Sequence, residues 1–172
     1  MNRGISWVAL LVGLLAAYAA SANEAGLAKV IAVIDGDTVL LMPIAAAAYP
    51  AYYKLRLADI DAPEKDQVFG PQAQQALTQL ALDQQVRVRT VATDSYGRYI
   101  GWVTLEQGPH AGTVVNTDLV RRGWAWALSR SRSPELREAQ QQARFEKRGL
   151  WAESDALPPW IWRRQKRDEG HE

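Results

Sequence analysis

The sequence predicts an α+β domain, mainly β, in which five β-strands close into a small barrel accompanied by three α-helices. Three observations predict this class. Two pairs of aliphatic, β-branched segments are each joined by turn residues and are typical of hairpins. One amphipathic segment lies between the third and fourth predicted strands. Two further helical segments follow the fifth strand.

The five predicted strands share enrichment in β-branched and aliphatic residues between turn residues. They cover residues 28–34, 38–42, 54–60, 86–91 and 98–105. Asp35-Gly36-Asp37 predicts the turn of the first hairpin, and residues 94–97 predict that of the second. Residues 43–53, whose alanines favour helix but whose proline and tyrosines do not, predict a wide apolar loop.

Three helices are predicted from apolar spacing and capping residues. The first begins at Pro71 and carries four apolar residues at the spacing of one buried face: Ala73, Ala76, Leu77 and Leu80. The second covers residues 116–122 and ends at Gly123, a left-handed cap. The third covers residues 134–148, with Ser133 as its N-cap. A single helix between strands three and four is typical of the five-stranded oligonucleotide-binding (OB) barrel.

The composition excludes several kinds of site. The chain has no cysteine, which excludes disulfides, cysteine-bound zinc and a thiol nucleophile. Its two histidines, His110 and His171, are too few for a histidine metal cluster and are predicted to lie at the surface. The formal net charge of +1 does not by itself indicate a nucleic-acid binder.

The first 22 residues predict a signal peptide. A short cationic start precedes an apolar stretch, and Ala20-Ser21-Ala22 fits the small-x-small cleavage pattern. The apolar stretch is short for a membrane span, although an uncleaved anchor is an alternative. The sequence therefore predicts a signal peptide at 1–22, a domain at 25–165 and a charged tail at 166–172. Trp151, Trp160 and Trp162 are expected to dock the C-terminal segment onto the domain, with base binding as the alternative. The basic cluster at residues 163–167 is predicted to be a solvated end.

One stretch concentrates charge at the end of the third strand. Residues 56–64 contain one arginine and three acids, namely Arg56, Asp59, Asp61 and Glu64. Strand alternation predicts Asp59 and Asp61 on one face and Arg56 on the other. Pro63 ends the strand, so the turn is expected to begin at Asp61. An arginine and two acids at such a corner suit a hard metal ion and an anionic substrate, and a solvated turn is the alternative.

Four fragments in strand contexts resemble the staphylococcal nuclease (thermonuclease) family when they are taken together in order. They are Asp35-Gly36-Asp37-Thr38, Arg56, Asp61-Ala62-Pro63-Glu64 and Asp94-Ser95-Tyr96-Gly97-Arg98. The resemblance extends to residues 119–123, to Gly149-Leu150-Trp151 and to the Pro-Pro-Trp sequence that ends at Trp160. It covers roughly residues 29–164, nearly the whole chain after the predicted signal peptide.

The resemblance implies a calcium-dependent phosphodiesterase that cuts DNA and RNA on a five-stranded OB barrel. It implies that Asp37 and Asp61 are carboxylate ligands of Ca²⁺ and that Ala62 contributes its backbone carbonyl. Calcium takes hard oxygen ligands of these kinds. Asp35 and Thr38 are expected to support the ligands or to contact substrate.

The same resemblance implies three catalytic residues. Glu64 is expected to activate or orient the attacking water. Arg56 and Arg98 are expected to bind the equatorial phosphate oxygens, where charge gathers in the transition state. The alternative for both arginines is simple ion pairing at the surface, with Asp59 or Asp94.

The nucleotide pocket implied by the family is altered. Tyr96 matches a pocket tyrosine, but Ser95 stands where a lysine is expected. Two further pocket tyrosines are replaced by Ser129 and Ser131, in a loop that also carries Arg130 and Arg132. Because a stacked base contributes ~1–3 kcal/mol, base preference is expected to differ, and the arginines are candidates for phosphate contacts.

The predicted function is therefore a secreted or periplasmic, calcium-dependent nuclease. It is expected to be a monomer without stable membrane association after signal cleavage. Two alternatives compete. The first is a non-catalytic OB barrel that binds single-stranded nucleic acid, which typically lacks the charged set that this chain retains. The second is a membrane-tethered protein that keeps its first segment.

Overall fold

The structure is a computed structural model that describes residues 26–44 and 50–170. The predicted signal peptide, His171 and residues 45–49 of the predicted loop lie outside these ranges. The strands are β1 (Gly26–Val33), β2 (Thr38–Pro43), β3 (Tyr53–Leu57), β4 (Ile60–Asp61), β5 (Gln85–Thr93), β6 (Tyr99–Leu105) and β7 (Trp126–Ala127). The α-helices are α1 (Gly70–Ala81), α2 (Val115–Arg121), α3 (Pro134–Phe145) and α4 (Pro159–Glu169).

Five strands form the predicted closed barrel, in the order β1-β2-β3-β6-β5. The pair β3–β6 is parallel, whereas the pairs β1–β2, β2–β3, β5–β6 and β1–β5 are antiparallel. Both predicted hairpins are confirmed. With α1 between the third and fourth barrel strands, this arrangement fits an OB barrel.

The barrel interior is aliphatic, and its alternating residues supply the core. Val30, Leu41, Leu55, Val86 and Val88 each retain none of their surface exposed to solvent. On the opposite face of β5, Arg87 and Arg89 are exposed, as the alternation predicts. Burying one face of each strand is what holds the barrel strands in register.

Helix α1 covers the barrel beside the turn between β1 and β2. Ala73, Leu77 and Leu80 are buried on its predicted face. Gly36 of the turn packs against this helix so closely that a Cβ atom would lie 2.7 Å from Ala62 Cβ and 2.9 Å from Ala73 Cβ. Only glycine fits at this position. The close contact between the turn and α1 therefore fixes the backbone position of the next residue, Asp37.

Helix α2 is tied to the barrel by the buried amide of Asn116. Its Nδ2 donates to the carbonyls of Ala58 and Gly101 at 3.0 and 3.2 Å, and its Oδ1 accepts from the Val103 N–H at 3.1 Å. After the helix, Gly123 has a φ of 78° and forms the predicted left-handed cap. The contact with Ala58 fixes the chain immediately before the segment from Asp59 to Glu64, which we call the acidic corner.

The described residues contain four α-helices rather than the predicted three. The additional helix, α4, begins at Pro159, where sequence analysis predicted only a docked tail. Proline is compatible with the first helical position because its missing N–H has no partner there. The predicted docking by tryptophans is present: the Trp126 ring contacts the rings of Trp151 and Trp160 at centroid distances of 5.6 and 6.3 Å. No helix in the described ranges is both long and apolar enough to cross a bilayer.

The third predicted strand, residues 54–60, is interrupted. Strand β3 ends at Leu57, and Asp59 adopts a φ of 62° before the short strand β4. Aspartate tolerates this left-handed conformation better than most residues. Two contacts hold it: the Leu128 N–H donates to the Asp59 carbonyl at 2.9 Å, and Ser131 Oγ donates to Asp59 Oδ2 at 3.0 Å. The predicted alternation across residues 56–61 is therefore wrong, and the chain turns earlier than expected.

Candidate active site

Most of the predicted site residues line one cavity of about 350 Å³ at the end of the barrel, which we call the central cavity. Its lining includes Asp35, Asp37, Arg56, Ala62, Glu64, Tyr96 and Arg98. Asp61 contacts Arg56 at its edge, and Thr38 contacts Asp37. The structure thus brings together residues from the β1–β2 turn, from β3, from the acidic corner and from the β5–β6 turn.

Asp37 is one of the two buried acids of the site, with 3% of its surface exposed. Its Oδ2 accepts from the Ala62 N–H at 3.1 Å, and its Oδ1 accepts from Thr38 Oγ1 at 3.0 Å. Burial raises the pKa of Asp37 to about 7; the neighbouring Asp35 and Asp61 add to this rise, and Arg56 opposes it. Burial therefore disfavours the ionised form of Asp37, and a nearby positive charge favours it.

Arg56 connects the two predicted carboxylate ligands. Its Nη2 lies 2.6 Å from Asp61 Oδ1 and 3.0 Å from Asp37 Oδ2. Burial acts to lower the pKa of Arg56, but the two carboxylates outweigh burial and raise it above its ordinary value. Arg56 does not pair with Asp59, which was its alternative partner. Both carboxylates therefore converge on one position.

Arg163 is a site residue that sequence analysis missed, because it was assigned to a solvated basic end. Helix α4 places its Nη2 2.7 Å from Asp61 Oδ2 and its Nη1 2.5 Å from Glu64 Oε1. The hydrogen bond to Asp61, aided by the one to Glu64 and opposed by partial burial, raises the pKa of Arg163. The sequence signal for Arg163 was its position three residues after Trp160. A tryptophan that docks on the domain holds nearby residues of its helix close to the domain as well.

Arg98 lines the central cavity and pairs with Asp94, as its alternative interpretation anticipated. Its Nε donates to Asp94 Oδ2 at 2.8 Å, and its backbone N–H donates to Asp94 Oδ1 at 3.0 Å. These bonds lower the pKa of Asp94 although desolvation acts against them. The pairing engages Nε of a guanidinium that also belongs to the cavity lining. Tyr96 is 84% exposed, with its ring centroid 5.7 Å from the Arg98 Cζ.

The polar residues around these groups hold them in position. Asp35 Oδ1 accepts from the Asp37 N–H at 3.0 Å, which closes the β1–β2 turn. The Glu64 N–H donates to Gln67 Oε1 at 3.1 Å, and Gln67 Nε2 donates to the Leu157 carbonyl just before α4. The segment that carries Glu64 and the segment that leads to Arg163 are therefore joined directly.

The two serines that replace family tyrosines have different places. Ser131 is buried, with 8% of its surface exposed, and it supports Asp59. Ser129 is exposed and lines a second cavity together with Arg130. Arg132 is exposed and outside that lining. In this loop Ser131 therefore stabilises the fold, whereas Ser129 and Arg130 are exposed at the surface.

The donor set fits a hard cation. In residues 26–44 and 50–170, no group of three or more acidic or histidine side chains is arranged to hold a metal ion. However, the buried Asp37 and Asp61 share contact with one Arg56 nitrogen and supply up to four oxygens between them. The Ala62 carbonyl is adjacent in sequence. Calcium, which also accepts water and substrate oxygens, is compatible with such a partial set.

Comparison with known proteins agrees with this geometry. Residues 54–153 match the model of the family described as staphylococcal nuclease homologue. The chain is 38% identical over 180 residues to the protein ParB of Escherichia coli, covering 99% of this chain and 96% of that protein.

Two further relatives carry nuclease names. The chain is 34% identical over 168 residues to a micrococcal nuclease of Shigella flexneri, covering 94% of this chain and 92% of the relative. It is 38% identical over 139 residues to an uncharacterized endonuclease of Escherichia coli O157:H7, covering 80% of this chain and 85% of the relative. Helix α4, with Arg163, lies outside the residues that the family model matches. The chain belongs to the staphylococcal nuclease family and is a nuclease.

Proposed function

We propose that this nuclease is an exported, calcium-dependent enzyme that hydrolyses phosphodiester bonds in both DNA and RNA. The observation that carries the proposal is the convergence of Asp37 and Asp61 on Arg56, at the edge of a cavity that also contains Glu64 and Arg98. This set combines a hard-cation site, a proton acceptor and two phosphate-binding guanidiniums.

The chain's own residues account for the main requirements of hydrolysis. The reaction forms one P–O bond to a water oxygen and breaks one P–O ester bond. Glu64 lies in the cavity and takes or orients the proton of the attacking water. Arg56 and Arg98 bind the nonbridging phosphate oxygens, on which negative charge gathers. Arginine keeps its proton, so Arg98 binds the phosphate, and the leaving oxygen takes its proton from solvent water.

Asp37, Asp61 and the Ala62 carbonyl would hold the calcium ion. When bound there, the ion supplies positive charge to the phosphate and acts as a Lewis acid. The burial of Asp37, whose pKa is raised to about 7, supports this assignment, because a bound cation offsets the cost of burying ionised carboxylates.

The test is hydrolysis of single-stranded DNA and of RNA by the full chain with calcium, with a chelator, and by Glu64→Gln with calcium. We expect cleavage of both substrates that is lost with chelator and reduced by orders of magnitude in the variant. DNA binding without any cleavage by the unmutated protein would reject the enzyme in favour of a binding barrel. Cleavage that is indifferent to chelator would reject the calcium assignment alone.

Export and oligomeric state are tested separately. Expression of the full chain in a bacterium should yield a protein in the periplasm or medium whose first residue is near Asn23. Recovery from the membrane fraction with Met1 retained would support the tethered alternative instead. Sedimentation of the exported protein should give the mass of a monomer.

A further inference from the structure

A second cavity of about 530 Å³ adjoins the central cavity beneath helix α4. We call it the α4 cleft and define it by Trp126, Ser129, Arg130, Arg144, Trp160 and Arg163. Arg56 and Asp61 lie on its wall as well. Because Arg56 and Arg163 line both cavities, the α4 cleft and the central cavity meet at the acid–arginine contact.

The α4 cleft has the charge of an anion-binding surface. Its lining contains four arginines, namely Arg56, Arg130, Arg144 and Arg163, and one acid, Asp61. Within the described part of the chain, no ion pair involves Arg130 or Arg144. The Arg144 guanidinium instead lies 4.3 Å from the Trp151 ring centroid, which holds it in place. Phosphate oxygens are the ligands that unpaired guanidiniums prefer.

An aromatic ring stands beside these charges. Trp160 is 41% exposed, and its ring packs edge-to-face on Trp126, which is only 3% exposed. A ring that is anchored on a buried neighbour and open on another side is suited to stacking with a nucleotide base. Ser129, which is exposed and has a small side chain, lines the same cleft.

We propose that the α4 cleft binds a nucleotide that flanks the scissile phosphate, with its base against Trp160 and its phosphate near Arg130 and Arg144. The proposal rests on the proposed nuclease function, because a polynucleotide that places one phosphate in the central cavity must continue to either side of it. The shared residues Arg56 and Arg163 make the two cavities continuous. Base stacking at this subsite is sequence-tolerant.

The first test measures binding rather than cleavage. The full chain carrying Glu64→Gln is titrated with a single-stranded thymidine oligonucleotide and with an abasic oligonucleotide of the same length. We expect Trp160→Ala to weaken binding of the base-bearing strand about 5-fold or more and to leave the abasic strand within about 2-fold. Trp160→Phe, which keeps a ring, should retain most of the affinity.

Trp162→Ala is the matched control, because Trp162 is on the same helix but lines a different cavity, with Gln67 and Leu157. It should change neither affinity. Equal loss on both strands in Trp160→Ala, or no loss on either, would overturn the stacking role.

The second test compares two exposed arginines of one loop, of which only Arg130 lines the α4 cleft. Arg130→Ala should reduce the slope of log K against log salt for single-stranded DNA by about 0.7, whereas Arg132→Ala should not change it. Both side chains are exposed, so this comparison decides the proposal even if Trp160→Ala is poorly folded. Equal slopes in the two variants would overturn the phosphate contact.

These outcomes are separable from the nuclease assignment. Base-dependent binding that requires Trp160, in a protein that never cleaves, would reject the proposed function and keep the subsite. Normal cleavage, combined with binding that ignores both Trp160 and Arg130, would reject the subsite alone.

Discussion

Arg163 and Glu64, 99 positions apart in the sequence, are joined by a hydrogen bond of 2.5 Å between Nη1 and Oε1. The same guanidinium donates from Nη2 to Asp61. The C-terminal helix α4 therefore contributes directly to the acidic corner, and the nuclease site is built from both ends of the domain.

The contact predicts that Arg163→Ala lowers the rate of DNA hydrolysis about tenfold or more, because Asp61 and Glu64 lose a charge-assisted partner. Initial rates and thermal unfolding should be measured together. Arg164→Ala is the matched control, since the neighbouring arginine on α4 is exposed and outside both cavities, and it should retain the parent rate. Equal rates in the parent and Arg163→Ala would show that the contact has no part in catalysis.

Asp37 predicts a pH dependence of folding in the presence of chelator. Its folded-state pKa of about 7 lies above the ordinary value of 3.8. Its contribution to stability is therefore fully present below about pH 4 and is lost as the pH rises through 7, by a few kcal/mol in the free energy of unfolding. Calcium should reverse the loss, because it binds the ionised carboxylate.

Thermal unfolding of the parent and of Asp37→Asn between pH 4.5 and 8.5 with chelator checks this prediction. The difference between the two isolates Asp37 from the other carboxylates. We expect the variant to gain stability over the parent as the pH rises, and to bind calcium much more weakly by calorimetry. Parallel pH profiles would contradict the raised pKa.

Asn116 predicts a large stability effect remote from the cavities. In Asn116→Ala, the Val103 N–H and the Ala58 carbonyl lose their amide partner inside the protein. Each unpaired buried group costs ~1–3 kcal/mol, so we expect a loss of about 3 kcal/mol or more in urea unfolding. Gln75→Ala, an exposed helical substitution on α1, is the control and should change stability by less than about 0.5 kcal/mol. A small effect of Asn116→Ala would mean that water replaces the amide.

Gly36 predicts that the turn geometry and the ligand positions are linked. In Gly36→Ala the new methyl group would lie 2.7 Å from Ala62 Cβ, so the turn or the acidic corner must move. We expect ~1–3 kcal/mol of destabilisation and weaker calcium binding by calorimetry. Gly170→Ala, whose nearest contact would be an ordinary 3.5 Å, is the control. Unchanged calcium affinity in Gly36→Ala would show that the geometry of the turn does not determine the positions of the calcium ligands.

The barrel and its first helix were predictable because their signals are local. Alternation of apolar residues marks the strands, and the spacing from Ala73 to Leu80 marks α1. The nine predicted site residues were found from fragments that resemble one family, and the structure gathers them around the central cavity. Their individual chemical roles remain predictions.

Helix α4 was less predictable because proline is typical both of chain breaks and of the first turn of a helix. Pro158 and Pro159 indicate a break in the chain, but Pro159 also suits the first position of a helix. What selects the helix is contact between Trp160 and Trp126, which are distant in sequence. Arg163 consequently reaches Asp61 only through the docking of α4.

The sequence by itself determined which residue types are available to the site and which segments become strands, because side-chain periodicity and turn chemistry act over a few residues. Only the tertiary structure decided that Arg56 contacts Asp61, although strand alternation assigns them to opposite faces. The physical reason is the left-handed conformation of Asp59, held by Leu128 and Ser131 from a distant loop. Long-range hydrogen bonds of this kind leave no periodic pattern in the local sequence.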